Sequence, residues 1–393
     1  MNILILGGDG YLGWPTAMYF SDLGHEVTVV DNYFRRDACD ELDVGMLYPV
    51  PSLPERARIW HELTGREIKV VLGDLADPEV SRSLFDGTVA YEWAVDPAFA
   101  LPDSVIHYAE QPSAPYSLMD YNRANITISN NLLVTNNLMF AVRDLAPDVH
   151  VVKLGTMGEY GTPDIDIEEG WLDIEYKGRR DRFLFPRQAG SIYHTTKIMD
   201  TDLLWFGVRT WNLRVTDLMQ GPVYGIDTDQ TLLDPRLRTI FNYDEVFGTV
   251  LNRFVVQAVV GYPLTVYGKG GQTRGYLNIR DTLQCVERAA LAPAEPGELR
   301  IFNQIVETFS VNQLADHVAR VGRERGYDVE IRSLENPRKE AEEHYYNPAY
   351  QGLIKLGVTP HLLTDEVLAG MFGVVEEHGN AIRNDVIFKG IKW

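Results

Sequence analysis

The sequence predicts an α/β fold, a doubly wound parallel sheet carrying a smaller, discontinuous C-terminal lobe. Three observations predict it. Apolar runs of strand length recur through residues 1–220, stretches of helix length alternate with them, and the first run opens directly onto closely spaced glycines.

The elements follow in order. Asn2 to Leu6 reads as a buried parallel strand and runs into Gly7-Gly8-Asp9-Gly10-Tyr11-Leu12-Gly13. A helix is expected from Tyr11 to Leu23, stopped by Gly24. A second strand, Glu26 to Val30, ends in Asp31-Asn32. Ile68 to Leu72, Ser104 to Tyr108, His150 to Leu154 and Trp211 to Val215 read as further strands, and Ile126 to Leu145 and Gly190 to Val208 as helices. The segment 32–66, with Pro49, Pro51 and Pro54, predicts an excursion ending in a helix over 55–64. In the insertion 164–186, Leu172, Ile174 and Tyr176 alternate with charged residues before Gly178, which predicts a β-hairpin flap. Residues 86–102 read as an extra insertion. The expected division is 1–220 for the nucleotide domain with insertions 32–66 and 164–186, then 221–275 and 333–393 for the lobe, with 276–332 returning to the sheet or its border.

Bulk properties bound the function. The chain has 393 residues, with 36 Lys+Arg against 56 Asp+Glu, a formal charge of −20. That acidity argues against nucleic acid or an anionic membrane as the main partner. The length suits one large domain with a lobe, or two domains. Two cysteines, Cys39 and Cys285, give neither a disulfide framework nor a metal-binding pair, so a reducing, cytoplasmic setting and no metal are expected. The apolar run at the N-terminus is too short for a signal peptide or a membrane span.

The glycine turn carries specific chemistry. Gly7, Gly10 and Gly13 permit a tight turn, close approach of backbone to a pyrophosphate, and close packing of helix on strand. The helix N-terminus offers N–H groups and the positive end of a dipole. Asp31, at the right distance downstream, can accept both ribose hydroxyls and favours NAD over NADP, although Arg35 and Arg36 weaken that preference. The arrangement is Rossmann-type. Asp9, Tyr11, Leu12, Asn32 and Arg36 belong to this cofactor set, as do Leu75, Tyr108, Glu110 and Gln111 at strand ends. Asp74 either hydrogen-bonds the adenine or caps the helix that follows it.

Tyr193 and Lys197 are four apart in an expected helix and share a face. A Lys ammonium near a phenol lowers its pKa, so Tyr193 can take a proton from a sugar hydroxyl while hydride leaves the same carbon. Thr156, closing a strand, can hydrogen-bond that hydroxyl.

Gly7, Gly10, Gly13, Asp31, Asp74, Thr156, Tyr193 and Lys197 together resemble the extended short-chain dehydrogenase/reductase family, which acts on nucleotide sugars. The blocks KLGTMGEYGTPDIDI (153–167), TDLMQGPVYG (216–225), NYDEVFGT (242–249), PLTVYGKGGQTRGYLNIRD (263–281) and NPRKEAEEHYYN (336–347) narrow the resemblance to a branch that joins UDP-glucose to sulfite. The resemblance implies resident NAD, oxidation at C4 of the sugar, loss of the C5 proton and C6 hydroxyl to a 4-keto-5-ene, addition of sulfite at C6, and return of the hydride. It implies Glu159 and His194 as proton-transfer residues at C5 and C6, with a structural hydrogen bond and helix packing as their alternatives. It places Met157, Gly158, Gln220, Tyr267, Gln272 and Tyr276 by the substrate. Arg274 and Arg338 are implied as diphosphate ligands, with Glu343 beside them; surface ion pairs are the alternative. A homodimer is usual for the family.

One position departs from the branch. Its Glu-Gln-Arg-Ser-Ala-Pro-Tyr-Ser block reads here Glu110-Gln111-Pro112-Ser113-Ala114-Pro115-Tyr116-Ser117. Proline brings neither charge nor N–H. Either sulfite is held otherwise, or the acceptor chemistry differs, as in an NDP-sugar 4-epimerase or dehydratase. A silent NAD-binding protein is the third reading; the intact Thr156, Tyr193 and Lys197 count against it.

Overall fold

The computed structural model describes residues 1–335 and 345–388. The first half alternates as β1 (Asn2–Leu6), α1 (Gly13–Asp22), β2 (Glu26–Asp31), α2 (Phe34–Glu41), α3 (Leu53–Thr64), β3 (Ile68–Leu72), α4 (Pro78–Asp86), β4 (Ser104–His107), α5 (Ala114–Leu118), α6 (Tyr121–Leu145) and β5 (His150–Thr156). Then come β6 (Trp171–Tyr176), β7 (Arg179–Leu184), α7 (Ile192–Trp211), β8 (Arg214–Gln220), β9 (Val223–Tyr224), α8 (Val250–Val259), β10 (Leu264–Tyr267), β11 (Thr273–Asn278), α9 (Ile279–Leu291), β12 (Leu299–Gln304), β13 (Glu307–Ser310), α10 (Val311–Glu324), β14 (Ile331–Leu334), α11 (Gln351–Lys355), α12 (Asp365–Glu377) and α13 (Asn384–Ile387).

The central sheet has seven strands in the order β3-β2-β1-β4-β5-β8-β12, and every neighbouring pair is parallel. Side chains alternate across it. Ile3 and Ile5 pack with Trp14 of α1, Trp60 of α3 and Val286 of α9, while Leu4 and Leu6 pack with Leu84 of α4, Leu138 of α6 and Leu204 of α7. Each such buried side chain contributes about 1.5–3 kcal/mol. Both faces are covered, which is why the strands read as continuous apolar runs. The order reverses between β1 and β4, so a crevice opens at their carboxyl ends.

A separate apolar cluster joins α2, α8, α10 and α12, through Cys39, Phe254, Val318 and Phe372, with Val266 of β10. Residues 276–332 are therefore shared. α9 and β12 pack with the sheet, whereas α10 buries its apolar face in this second cluster. The excursion 32–66 divides likewise: Val44, Leu47 and Tyr48 join the second cluster, and α3 lies on the sheet. α3 begins where Ser52 Oγ accepts from Glu55 N, with proline in its first turn. The insertion 164–186 forms the antiparallel β6–β7 hairpin. In residues 86–102, Trp93 bridges Val70 and so covers the outer edge of β3. The expected strand at Trp211 starts later. Trp211 ends α7 and packs against Phe140 and Phe206, and Asn212, in the left-handed region at φ 57°, stops the helix.

Candidate active site

A cavity of about 370 Å³ lies at the carboxyl ends of the sheet strands. The glycine turn forms its floor. Gly7 has φ +87°, and a Cβ there would come within 2.9 Å of the Ala109 backbone nitrogen. A Cβ on Gly13 would lie 2.0 Å from the Gly7 carbonyl oxygen. Gly10 differs, since only the Gly7 oxygen, at 3.4 Å, is near its would-be Cβ. That side is open for a ligand backbone to approach. α1 starts without a capping side chain; Trp14 N donates to the Gly10 carbonyl and Pro15 has no N–H, which leaves the Leu12 and Gly13 N–H groups for a ligand.

Asp31 is fixed by two backbone donors. Asp9 N gives a 2.8 Å bond to Oδ2 and Tyr33 N a 2.7 Å bond to Oδ1. Burial, with Asp9 nearby, pushes its carboxyl up to about 6. Asp9 itself is buried between Arg36, at 2.7 Å, and Arg56, at 2.6 Å. The structure places Arg36 in a second set of contacts. Its guanidinium serves Asp9 and the carbonyls of Val50 and Pro51, and it does not line the cavity. Tyr11, Leu12, Asn32, Asp74, Leu75, Tyr108 and Glu110 do line it. Asp74 also accepts from Ala76 N. Gln111 is fully buried instead, bonding Ser113 and Thr127 to shape the turn around Pro112.

Ser191 caps α7 by accepting from His194 N, which sets Tyr193 and Lys197 one turn apart. Tyr193 and Thr156 line the same cavity. Lys197 Nζ donates to the Leu154 carbonyl at 2.6 Å and pairs with Glu110 Oε1 at 2.7 Å, while its distance to the Tyr193 ring centre is 5.9 Å. The phenol is not lowered as expected. Burial raises its pKa, Glu110 and Glu159 raise it further, and Lys153 opposes them. Burial is the largest of these causes, and Glu110, which also answers the Lys197 charge, adds to it.

Beyond Thr156 the chain turns away from the cavity. Glu159 is fully buried and completes a capping box with Thr156; Oε1 lies 3.4 Å from Lys153 Nζ and Oε2 3.0 Å from Arg187 Nη1. Its carboxylate is engaged by these buried partners. Met157 packs in the sheet core, and Gly158 lies against the His194 ring, where a Cβ would be 2.4 Å from Nε2. His194 Nδ1 is 3.0 Å from Ser191 Oγ. None of Met157, Gly158, Glu159 and His194 lines the cavity.

Lys153 heads a buried ionic cluster that sequence reading missed. It sits opposite Asp217 in the β5–β8 register, 3.4 Å away, and donates to the Lys197 carbonyl at 2.9 Å and to Thr201 at 2.7 Å. A lysine inside an apolar strand, with an aspartate in a neighbouring one, was the available signal.

On the lobe side, Gln220 lines the cavity and is held by Thr282 and Gln304. Gly221, also in the lining, runs so close to β11 that a Cβ there would lie 2.2 Å from the Gly275 carbonyl oxygen. Arg274 Nη1 donates to the Thr273 carbonyl, and Tyr276 is buried against Phe309. Tyr267 bonds Glu245 at 2.9 Å and receives Arg253 at 3.2 Å, and Gln272 donates to the Tyr267 carbonyl. Tyr267, Gln272, Arg274 and Tyr276 form a group outside the cavity lining. Arg338 and Glu343 lie outside the described residues. The lining also contains Arg35, Asn242, Phe247 and Asn252, which were not foreseen as site residues. Among the described residues no three His, Cys, Asp or Glu are arranged to hold a metal, and no helix is long and apolar enough to cross a membrane.

The model of the NAD dependent epimerase/dehydratase family matches residues 3–303. A curated spinach relative, UDP-sulfoquinovose synthase, chloroplastic, is 46% identical over 392 residues, which are 100% of this chain and 79% of that one. A UDP-sulfoquinovose synthase of Sulfolobus acidocaldarius is 43% identical over 361 residues, 92% of this chain and 88% of its own. Among solved structures, UDP-glucuronic acid 4-epimerase from Bacillus cereus, in complex with UDP-glucuronic acid and NAD, superposes with a TM-score of 0.70 at 18% identity over 96% of this chain and 99% of that one. UDP-glucose 4-epimerase from Bifidobacterium longum, in complex with NAD+ and UDP, gives a TM-score of 0.70 at 18% identity, covering 97% and 100%. At that identity the two structures speak for the fold.

Proposed function

We infer that this chain, which belongs to the NAD dependent epimerase/dehydratase family and within it to the UDP-sulfoquinovose synthases, converts UDP-glucose and sulfite to UDP-sulfoquinovose and water. The observation that carries the reading is the convergence of Tyr193, Thr156, Asp31 and the Gly7–Gly13 turn on one cavity.

The residues fit NAD. The open side of Gly10 and the uncapped start of α1 suit a pyrophosphate, and Asp31 retains lone pairs for ribose hydroxyls. NAD held there supplies a reversible hydride acceptor, so the overall reaction has no net redox change. Tyr193 takes the proton of the C4 hydroxyl. Thr156 Oγ accepts from Gly158 N, which leaves its O–H to donate to the same sugar oxygen. Lys197 turns the Tyr193 face of α7 towards β5 through the Leu154 carbonyl. Loss of the C5 proton and C6 hydroxyl as water, bond formation from sulfite sulfur to C6 and return of a proton to C5 together exchange the hydroxyl for a sulfonate.

A homodimer belongs to the same reading. Ile126, Leu133 and Phe140 on α6, and Met199 and Phe206 on α7, recur at seven-residue spacing and are exposed. A reducing, cytoplasmic setting fits the two buried thiols, Cys39 and Cys285, which form no disulfide.

Pro112 lines the cavity with neither charge nor N–H, and this favours a second reading, a UDP-sugar 4-epimerase or dehydratase without sulfite chemistry. Purified protein given UDP-glucose and sulfite distinguishes them. A sulfonated UDP-sugar supports the first reading, and C4 inversion alone supports the second.

A further inference from the structure

On the reading above, the cavity takes up the diphosphates of NAD and UDP-glucose together with sulfite. Its described lining carries four carboxylates, Asp9, Asp31, Asp74 and Glu110, and a single cation, Arg35. Asp9 is neutralised by Arg36 and Arg56, and Glu110 by Lys197. Arg35 is different, since among the described residues no carboxylate stands within ion-pair distance of it. The buried Cys39 thiol lies beside it, and Asp244 acts on it only through space, with Oδ1 already accepting from Val246 N and Phe247 N.

The guanidinium is nevertheless held firmly. Nη2 donates to Asn242 Oδ1 at 2.8 Å and to the Phe247 carbonyl at 3.4 Å, and the group lies 4.3 Å from the Phe247 ring centre. Nε has no acceptor. A fixed planar cation with an uncommitted donor is suited to an oxyanion.

Packing ties this cation to the wall that carries Pro112. Phe247 stacks on Tyr116, with ring centres 6.0 Å apart, and Ser113 Oγ donates to the Val246 carbonyl at 2.6 Å. The same α5 turn reaches the catalytic helix, where Ser117 Oγ accepts from Tyr193 N at 3.1 Å.

We propose that Arg35 is the oxyanion-binding residue of this cavity and that the oxyanion is sulfite. The proposal rests on the sulfite-adding reading of the function, and it supplies the charge that Pro112 does not.

The test uses the full-length protein with its bound cofactor, as Arg35→Met and Arg35→Lys. Apparent KM for sulfite, KM for UDP-glucose and NAD content are measured for each. Loss of a charge-assisted pair predicts a sulfite KM raised about 10- to 100-fold in Arg35→Met. Lysine should recover part of it, with the other two quantities unchanged. A diphosphate oxygen offers the same chemistry. Loss of NAD or a raised UDP-glucose KM, with sulfite KM unmoved, would assign the cation to a phosphate and overturn the sulfite assignment. No change in any of the three overturns the oxyanion proposal altogether. Because Arg35→Met also loses its stacking on Phe247, the folded Arg35→Lys protein serves as the control for packing. If the parent protein makes no sulfonated product, the functional reading fails on its own. Arg35 is then judged by equilibrium dialysis of labelled sulfite, where equal retention by parent and Arg35→Met rejects it.

Discussion

The Lys197 ammonium is ion-paired to Glu110, Nζ to Oε1 at 2.7 Å, with both side chains almost wholly buried. A lysine beside a catalytic phenol ordinarily lowers its pKa. Here a carboxylate cancels much of that field, and burial leaves the Tyr193 phenol raised. The arrangement as it stands favours the protonated phenol, and Glu110 is one of the charges that keep it so.

Glu110→Gln should therefore extend activity to lower pH. It removes one of the three carboxylates, Glu110, Glu159 and Asp200, that raise the phenol, so the acidic limb of the kcat profile moves down. Lys197 is left buried and unpaired, at a cost of roughly 3–5 kcal/mol in stability. A pH–rate profile and a melting curve check both. An unmoved acidic limb would show that Glu110 does not restrain the phenol.

Tyr193→Phe should lose about 10²-fold or more in rate while keeping UDP-glucose affinity. Steady-state kinetics on the NAD-loaded protein read this directly. Unchanged turnover would remove Tyr193 from the chemistry.

Asp31 predicts a pH dependence of NAD retention. Its carboxyl lies at about 6, above the ordinary 3.8, chiefly through burial and then Asp9. As pH falls through about 6 the carboxylate is lost and NAD should be released more readily. The sign for folding is opposite. A raised carboxyl favours the folded state as pH falls, and its penalty, about 3 kcal/mol, is complete only above pH about 6. Gel filtration at about pH 5 and pH 7, with NAD measured in the protein peak, checks the first claim. Asp31→Asn should bind NAD weakly at both.

Lys153→Met should destabilise strongly, by roughly 3–5 kcal/mol, because Asp217 and Glu159 lose their common buried cation. Pairing it with Asp217→Leu should recover part of the loss, which denaturant melts can measure. Additive losses would mean that the two groups do not act as a unit.

The legible parts of this protein were local. The glycine turn, Asp31 at the end of β2, and Tyr193 with Lys197 on one helix face each follow from spacing within a single β–α unit. Other parts depend on what distant segments bring. Arg36 follows Asp31 closely, yet Asp9 claims it, and that pairing depends on how the 32–52 excursion folds back. Glu159 follows Thr156, and the resemblance left it either a proton-transfer residue or a structural hydrogen-bonding group. Its partners Lys153 and Arg187 come from β5 and from the segment before α7, and they draw it inwards. Arg35 enters the cavity because Asn242 and Phe247, more than 200 residues away, hold it there. α10 carries a clear amphipathic pattern, but pattern alone does not say that its apolar face meets α8 and α12 and not the sheet.

Mass spectrometry of the products from purified protein, UDP-glucose and labelled sulfite tests the central claim most directly. A UDP-hexose bearing the labelled sulfonate, formed without added NAD and without net reduction of the bound cofactor, is the predicted result. Protein that retains NAD yet returns only UDP-glucose, or its C4 epimer, would contradict it.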